Sequence, residues 1–177
     1  KSIDSYNIDE EVLYNDYIVP LIKNYLKDGC LFKMNIVGTF RWELLHYLKL
    51  CDNNFQLYTI NDHPCQYAID SFTVQTSGAV SFCPSLPIVF GNLNNSTLKD
   101  ILKSEQYLKF KALTVNMIDK CNQCRYLQLC GGGCRADALA LNKNINSLDP
   151  LSCRHMIVFE KYILNVLPDD IQTKIKS

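Results

Sequence analysis

The sequence predicts an α+β fold in which several helices and one small β-hairpin are joined by cysteine-rich loops. Apolar residues recur at three- and four-residue spacings in several stretches, as on the buried face of an amphipathic helix. Residues 71–76 and 79–83 alternate apolar and polar side chains on either side of Ser77-Gly78, which is typical of two strands and a tight turn. Seven of the nine cysteines lie between residues 65 and 153 at short, ordered spacings.

The N-terminal part of the chain is predicted to be helical. Residues 9–28 carry an apolar stripe, with acidic residues at the start and a lysine near the end, as the helix dipole favours. Pro20 should kink or break this helix, because proline lacks an N–H group. A second helix is predicted at about residues 39–50, with Thr39 as its N-cap.

The hairpin should bring two cysteines together. We expect Gly78 at positive φ, where glycine has no steric penalty, so that the second strand turns back and Cys83 approaches Cys65. Pro84 and Pro87 are expected to end the strand pairing, because proline cannot donate to the ladder.

Three further helices are predicted beyond the hairpin. One runs over residues 97–113 and starts with a Thr-x-x-Asp capping-box pattern. A short, alanine-rich helix is predicted at residues 135–141, and an amphipathic helix at 154–167. The polar tail after Pro168 is expected to fray.

Composition excludes several functional classes. With 177 residues, 47% of them hydrophobic, the chain can bury a core without disulfides, and its odd cysteine count also argues against a disulfide framework. The formal net charge is zero, so no basic field indicates nucleic acid or a membrane as a partner. No signal peptide precedes Lys1, and we expect a cytoplasmic location. Because the chain opens on Lys1 rather than Met, we expect it to be a piece of a longer protein.

The cysteine spacings favour metal coordination. Cys121 and Cys124 are two residues apart, which lets both thiolates face one metal or cluster. Cys130 and Cys134 are separated only by residues 131–133, all glycine, so the backbone could approach an inorganic core. This favours a bulky cluster over a single zinc ion, but a structural zinc site made by four thiolates remains an alternative.

The full pattern resembles a known family. Cys-x12-Gly-x4-Cys ending at Cys83, then Cys-x2-Cys-x5-Cys-x3-Cys ending at Cys134, then Cys153, is similar to the SPASM domain. That domain is the C-terminal extension of radical S-adenosylmethionine enzymes that mature peptides and proteins. Two flanking motifs, Gly-Asn-Leu followed by Thr-Leu-Lys-Asp-Ile at 91–101 and Tyr-x2-Leu-Cys-Gly-Gly-Gly-Cys-Arg-Ala at 126–136, extend the resemblance.

The resemblance implies two auxiliary [4Fe–4S] clusters with interleaved ligands. The first cluster would take Cys65, Cys83 and Cys134, with Cys51 as a possible fourth ligand. The second would take Cys121, Cys124, Cys130 and Cys153. The glycines of the cluster loops would be Gly78, Gly131, Gly132 and Gly133.

The chain departs from the family in one respect. It contains no Cys-x3-Cys-x2-Cys motif, so by itself it should not cleave S-adenosylmethionine. We therefore interpret residues 1–50 as a helical linker at the end of a missing radical S-adenosylmethionine domain, and 51–177 as the cluster domain. Its clusters would relay electrons or engage a peptide or protein substrate, and whether the chain alone is an enzyme stays open.

Four further residues near the cysteines have two interpretations each. Cys30 is more readily a buried apolar thiol than a ligand. His63 could be a stray ligand or a polar loop residue. Arg125 and Arg135 could offset the negative charge of thiolate-bound clusters or simply face solvent.

Overall fold

The computed structural model describes residues 9–32, 57–65 and 71–176. The chain divides into two compact units, one formed by residues 57–153 and the other by the N-terminal segment with residues from Arg154 onward. Across the described ranges, no helix is long and apolar enough to cross a membrane. The helix predicted at 39–50 and the proposed ligand Cys51 lie outside the described residues.

The predicted N-terminal helix is confirmed as α1. At Pro20 it does not break, because its hydrogen bonds change ahead of this residue from the α-helical to the π-helical pattern. It consists of Glu10–Val12, a π-helical turn at Leu13–Ile18, and Val19–Lys27. The N–H of Val19 reaches back five residues to the carbonyl of Tyr14. Because Pro20 has no N–H and its ring crowds the preceding turn, the wider π turn lets the helix continue past it.

The sheet has three antiparallel strands in the order β1-β2-β3, namely Thr73–Val74, Ala79–Ser81 and Val89–Asn92. The hairpin and its glycine are confirmed, since β1 pairs with β2 and Gly78 has φ +81°. The strand β3 was not predicted. The prolines do end β2, but the chain then returns to pair with it, with a register shift between Val80 and Ser81.

Two helices follow the sheet where one was predicted. Helix α2, Leu98–Ile101, starts with the predicted capping box, in which the Asp100 N–H donates to Thr97 Oγ1. Helix α3, Glu105–Lys111, starts anew because the Ser104 side chain caps it by accepting from the Tyr107 N–H. Both helices bury apolar side chains against the sheet in one core. Its buried members are Val80, Phe82, Leu86, Phe90, Ile101, Phe110, Leu113 and Ala136.

The cysteine-rich region is built from short helices. Two 3₁₀ turns, Val115–Met117 and Cys121–Gln123, precede α4 at Leu127–Cys130. The predicted alanine-rich helix is confirmed as α5, Arg135–Asn142, and α6 begins at Pro150 and ends at Val158. Val115, Ile118 and Cys121 form a second buried cluster beneath these turns.

The C-terminal segment does not fray. After α6 the chain continues through a π turn, Phe159–Ile163, and a 3₁₀ turn, Leu164–Val166, into α7, Asp169–Lys176. The expectation of a frayed tail is wrong because Ile171 is 1% exposed and anchors α7. Within this unit Tyr14 stacks on Tyr162 at 5.1 Å, and the ion pairs Arg154–Glu10 and Lys161–Glu11 lie at the surface, where they stabilise little.

Candidate metal centre

Four cysteine thiols come from short elements of the 57–153 unit. Cys121 opens a 3₁₀ turn and Cys124 follows it, its N–H donating to the carbonyl of Cys121 at 3.1 Å. Cys130 is the last residue of α4, and Cys153 lies on α6. These are the four residues of the second predicted ligand set.

Cys124 and Cys153 lie close enough to Cys121 and Cys130 to change the pKa of those two thiols. Burial, opposed by the Arg135 charge and assisted by the Cys124 and Cys153 sulfurs, raises the pKa of Cys121 to about 11. Burial also raises the pKa of Cys130 to about 12, opposed by the Gly132 N–H and assisted by the other three sulfurs. The four thiols therefore lie near one another, and because a thiol must lose its proton to become a metal ligand, binding of a metal group there would release protons.

The first predicted ligand set lies around the sheet core. Cys65 and Cys83 are half-buried and both pack against that core. Cys134 precedes α5, whose Ala136 is buried in the same core. Partial burial raises the pKa of the Cys134 thiol, while the N–H of Asp137 at the start of α5 lowers it.

His63 holds the Cys65 loop in place. The ring is 8% exposed, and burial lowers its pKa, so that it stays neutral. Its Nε2 donates to the carbonyl of Phe110 at 2.9 Å, and its Nδ1 accepts from the N–H of Cys65 at 3.1 Å. His63 is thus a polar loop residue, as one of its two interpretations expected, and it is a buried one that supports the segment carrying Cys65.

The three glycines between Cys130 and Cys134, here called the glycine bridge, all have positive φ: +60°, +90° and +76°. A Cβ on Gly131 would lie 2.5 Å from the ring of Tyr58, and one on Gly132 would lie 2.6 Å from Cδ1 of Ile118. A Cβ on Gly133 would lie 2.7 Å from the carboxylate of Asp149. The chain's own packing thus requires the glycines, and they do not by themselves favour a cluster over zinc.

Two buried charges flank the bridge, and the sequence indicated only one of them. Arg135 is 1% exposed, so the solvent-facing interpretation is wrong for it. Arg125, in contrast, is exposed and packs over the Tyr126 ring, 4.7 Å from its centroid.

The second buried charge is Asp149, which is 1% exposed. The sequence analysis missed it, although Asp149-Pro150 is a typical start of a helix. Cys30, as predicted, is fully buried.

The residues present fit an iron–sulfur group chemically. Thiolates are the ligands of such clusters, and they are tuned by hydrogen bonds to their sulfurs. The buried Nε of Arg135 has no acceptor among the described residues, and it lies on a side chain whose charge acts on Cys121, Cys134 and Cys130. Within residues 9–32, 57–65 and 71–176, no group of three His, Cys, Asp or Glu side chains is arranged to hold a single metal ion.

Comparison with known proteins confirms the resemblance drawn from the cysteines. Residues 65–125 match the family model of the SPASM iron–sulfur cluster-binding domain, about a third of the chain. A cysteine-type anaerobic sulfatase-maturating enzyme from Clostridium perfringens is 28% identical over 67 residues. That match takes in 36% of this chain and 18% of the relative.

Solved structures share the fold over nearly the whole chain. Native anSMEcpe with bound AdoMet and Kp18Cys peptide has a TM-score of 0.56 and 20% identity, covering 93% of this chain and 44% of that one. A His-tagged anSMEcpe with bound AdoMet has a TM-score of 0.56 and 18% identity, covering 99% and 46%. The chain thus spans less than half the length of these relatives.

Proposed function

We propose that this chain, which carries a SPASM iron–sulfur cluster-binding domain, is the auxiliary-cluster part of a radical S-adenosylmethionine enzyme that modifies a peptide or protein. Residues 1–50 would be the linker from the catalytic domain, and residues 51–177 would hold two [4Fe–4S] clusters. The partner domain would supply the S-adenosylmethionine chemistry, because this chain has no Cys-x3-Cys-x2-Cys motif.

One observation carries the proposal: the Cys121 and Cys130 thiols lie close enough to Cys124 and Cys153 for those two sulfurs to raise their pKa. Thiolate-ligated clusters need such a convergence of sulfurs. The family match over residues 65–125 supports iron and sulfide as the occupants.

The crossed assignment has separate support. Cys65 and Cys83 pack on the sheet core, and Cys134 precedes a helix whose Ala136 is buried there. Cys134 would therefore belong with them although it is only four residues from Cys130. The fourth position of the first cluster would be taken by Cys51 or by another donor.

When bound, such clusters pass single electrons, and an open iron site can engage a substrate. The protein's contribution is to hold the thiolates, to surround them with buried apolar residues such as Ile118, and to place the Arg135 charge beside them. Burial of the sulfurs lowers the local dielectric, which is a main determinant of reduction potential.

Metal content tests the proposal. Anaerobic reconstitution of the whole chain with iron and sulfide should give a brown protein with two cubane clusters' worth of both. A colourless, iron-free protein would refute it. Stoichiometric zinc in protein isolated without oxygen would instead favour the structural zinc module, in which four cysteines would bind one zinc ion.

Two substitutions test the ligand assignment. Cys121→Ala should remove the second cluster and leave the first, whereas Cys134→Ala should do the reverse. Cys30→Ala is the control, because it removes a fully buried thiol that belongs to neither set. If iron counting and spectroscopy show that both ligand substitutions remove the same cluster, the crossed assignment is wrong.

A further inference from the structure

Two buried side chains of opposite charge join the glycine bridge to the loop at residues 145–149. Arg135 and Asp149 are each 1% exposed, whereas charged side chains are almost never fully buried without partners. Burial lowers the pKa of the Arg135 guanidinium, and the nearby carboxylate of Asp149 opposes that shift. Their hydrogen bonds go mainly to the backbone of the two segments.

Arg135 holds the first part of the loop. Its Nη1 donates to the carbonyl of Ile145 at 2.7 Å and to that of Ser147 at 2.9 Å. Its Nη2 donates to the carbonyl of Gly132 in the bridge. A planar guanidinium can make these three hydrogen bonds at once. The lysine side chain is shorter and ends in a single ammonium group, so it cannot reproduce them.

Asp149 holds the end of the loop and contacts the backbone of both ligand sets. Its Oδ2 accepts from the N–H of Cys134 at 2.8 Å, and its Oδ1 accepts from the N–H of Leu151 at 3.0 Å. Its main-chain carbonyl accepts from the N–H of Cys153 at 3.1 Å. The carboxylate is packed so closely on the bridge that a Cβ on Gly133 would lie 2.7 Å from it.

We infer that Asp149 and Arg135 are positioning residues that fix Cys134, of the first ligand set, against Cys153, of the second, and so set the spacing between the two clusters. Neither residue is a ligand. The inference rests on the proposed function, because it assumes that the two cysteines belong to different clusters. The Asp149 carboxylate, which is not part of the cysteine pattern, would thus keep the distance between the two clusters fixed.

Magnetic coupling between the clusters gives a direct readout. Two reduced clusters each carry an unpaired spin, and their dipolar interaction falls steeply with distance. The whole chain would be reconstituted anaerobically, reduced, and examined by electron paramagnetic resonance, and the rate of iron release to a chelator would be measured on the same samples.

The variants separate positioning from charge. Asp149→Ala should alter the coupling and speed iron release by about 10–100-fold, as loss of an outer partner of a metal site typically does. Asp149→Asn keeps an acceptor oxygen and should show the same changes by a smaller factor. Asp137→Asn is the matched control, since it also removes a negative charge that acts on Cys134, and it should behave as the unsubstituted chain. Arg135→Lys should resemble Asp149→Ala.

The outcomes distinguish this inference from the proposed function. An unsubstituted chain that takes up no clusters overturns the proposed function. A chain that takes up both, but whose Asp149→Ala and Asp149→Asn variants match Asp137→Asn in coupling and iron release, overturns the positioning role alone. Unchanged coupling in Arg135→Lys would likewise overturn the part assigned to the guanidinium hydrogen bonds. If Asp149→Ala does not fold, the comparison of Asp149→Asn with Asp137→Asn decides.

Discussion

Gly132→Ala should destabilise the chain for two separable reasons, backbone strain and a steric collision. A non-glycine residue in the left-handed region costs about 1–2 kcal/mol, and Gly132 has φ +90°. The new Cβ would also lie 2.6 Å from Cδ1 of Ile118, where ordinary contact begins at 3.4 Å. Ile118 is 1% exposed and cannot swing into solvent, so the overpacking should add about 1–3 kcal/mol.

Two further variants isolate these contributions. Gly29→Ala carries the strain alone, because Gly29 has φ +82° and a Cβ there meets nothing within 4 Å. Its cost should stay near 1–2 kcal/mol, at about the strain level. Ile118→Val removes the colliding Cδ1. It should cost about 0.5–1.5 kcal/mol in the unsubstituted chain and less than that, or nothing, in the Gly132→Ala background.

Urea unfolding of the metal-free chain, followed by far-ultraviolet circular dichroism, gives the free energies of unfolding of the unsubstituted chain, the three single variants and the Gly132→Ala/Ile118→Val double variant. If Gly132→Ala costs no more than Gly29→Ala, the collision is not what fixes Gly132. If Ile118→Val costs the same in both backgrounds, the packing of the bridge against Ile118 has been misjudged. Either result would mean that the three glycines act only as a flexible spacer between Cys130 and Cys134.

Three smaller predictions concern the helices and use the same unfolding assay. Thr97→Ala should lower the free energy of unfolding by about 1 kcal/mol, because it removes the N-cap of α2. Ser96→Ala, one residue away, should change it little, and equal effects of the two substitutions would contradict the capping role. Lys143→Gly should stabilise by about 0.5–1 kcal/mol, since Lys143 ends α5 at φ +58°, and Lys143→Ala should bring no such gain. Ile171→Ala should cost about 2–5 kcal/mol and expose α7 to proteases, and an unaffected cleavage rate would mean that α7 is held by other contacts.

Local patterns in the sequence predicted the elements that depend on neighbouring residues. The β1–β2 hairpin was found because Gly78 and the alternation on either side of it are local features. The strand β3 was missed because its four residues follow Pro87 and gain their conformation only by pairing with β2. The break between α2 and α3 was missed because the apolar periodicity continues through Ser104, which caps the second helix.

The same distinction applies to the site. Cysteine spacing favoured metal coordination at Cys121 and Cys124, because they lie two residues apart. The division of the thiols into two ligand sets followed only from the family resemblance and stays a prediction. The spacing could not predict that Arg135 and Asp149 are buried, because their burial depends on how the loop at 145–149 folds over the bridge. It also missed why the chain itself needs the glycines, since the side chains that crowd them are distant in sequence.

The bond from His63 to Phe110 has a consequence for the order in which the protein is assembled. Much of what places Cys65 and Cys83, namely this bond, the hairpin and most of the sheet core, is encoded before residue 114. As the chain is synthesised, two thiols of the first set can therefore be held in place before Cys134 is made. The second set, Cys121, Cys124, Cys130 and Cys153, spans a shorter stretch of chain and is completed last, when Cys153 is made. Cluster insertion into the second site can therefore take place after the sheet core has folded.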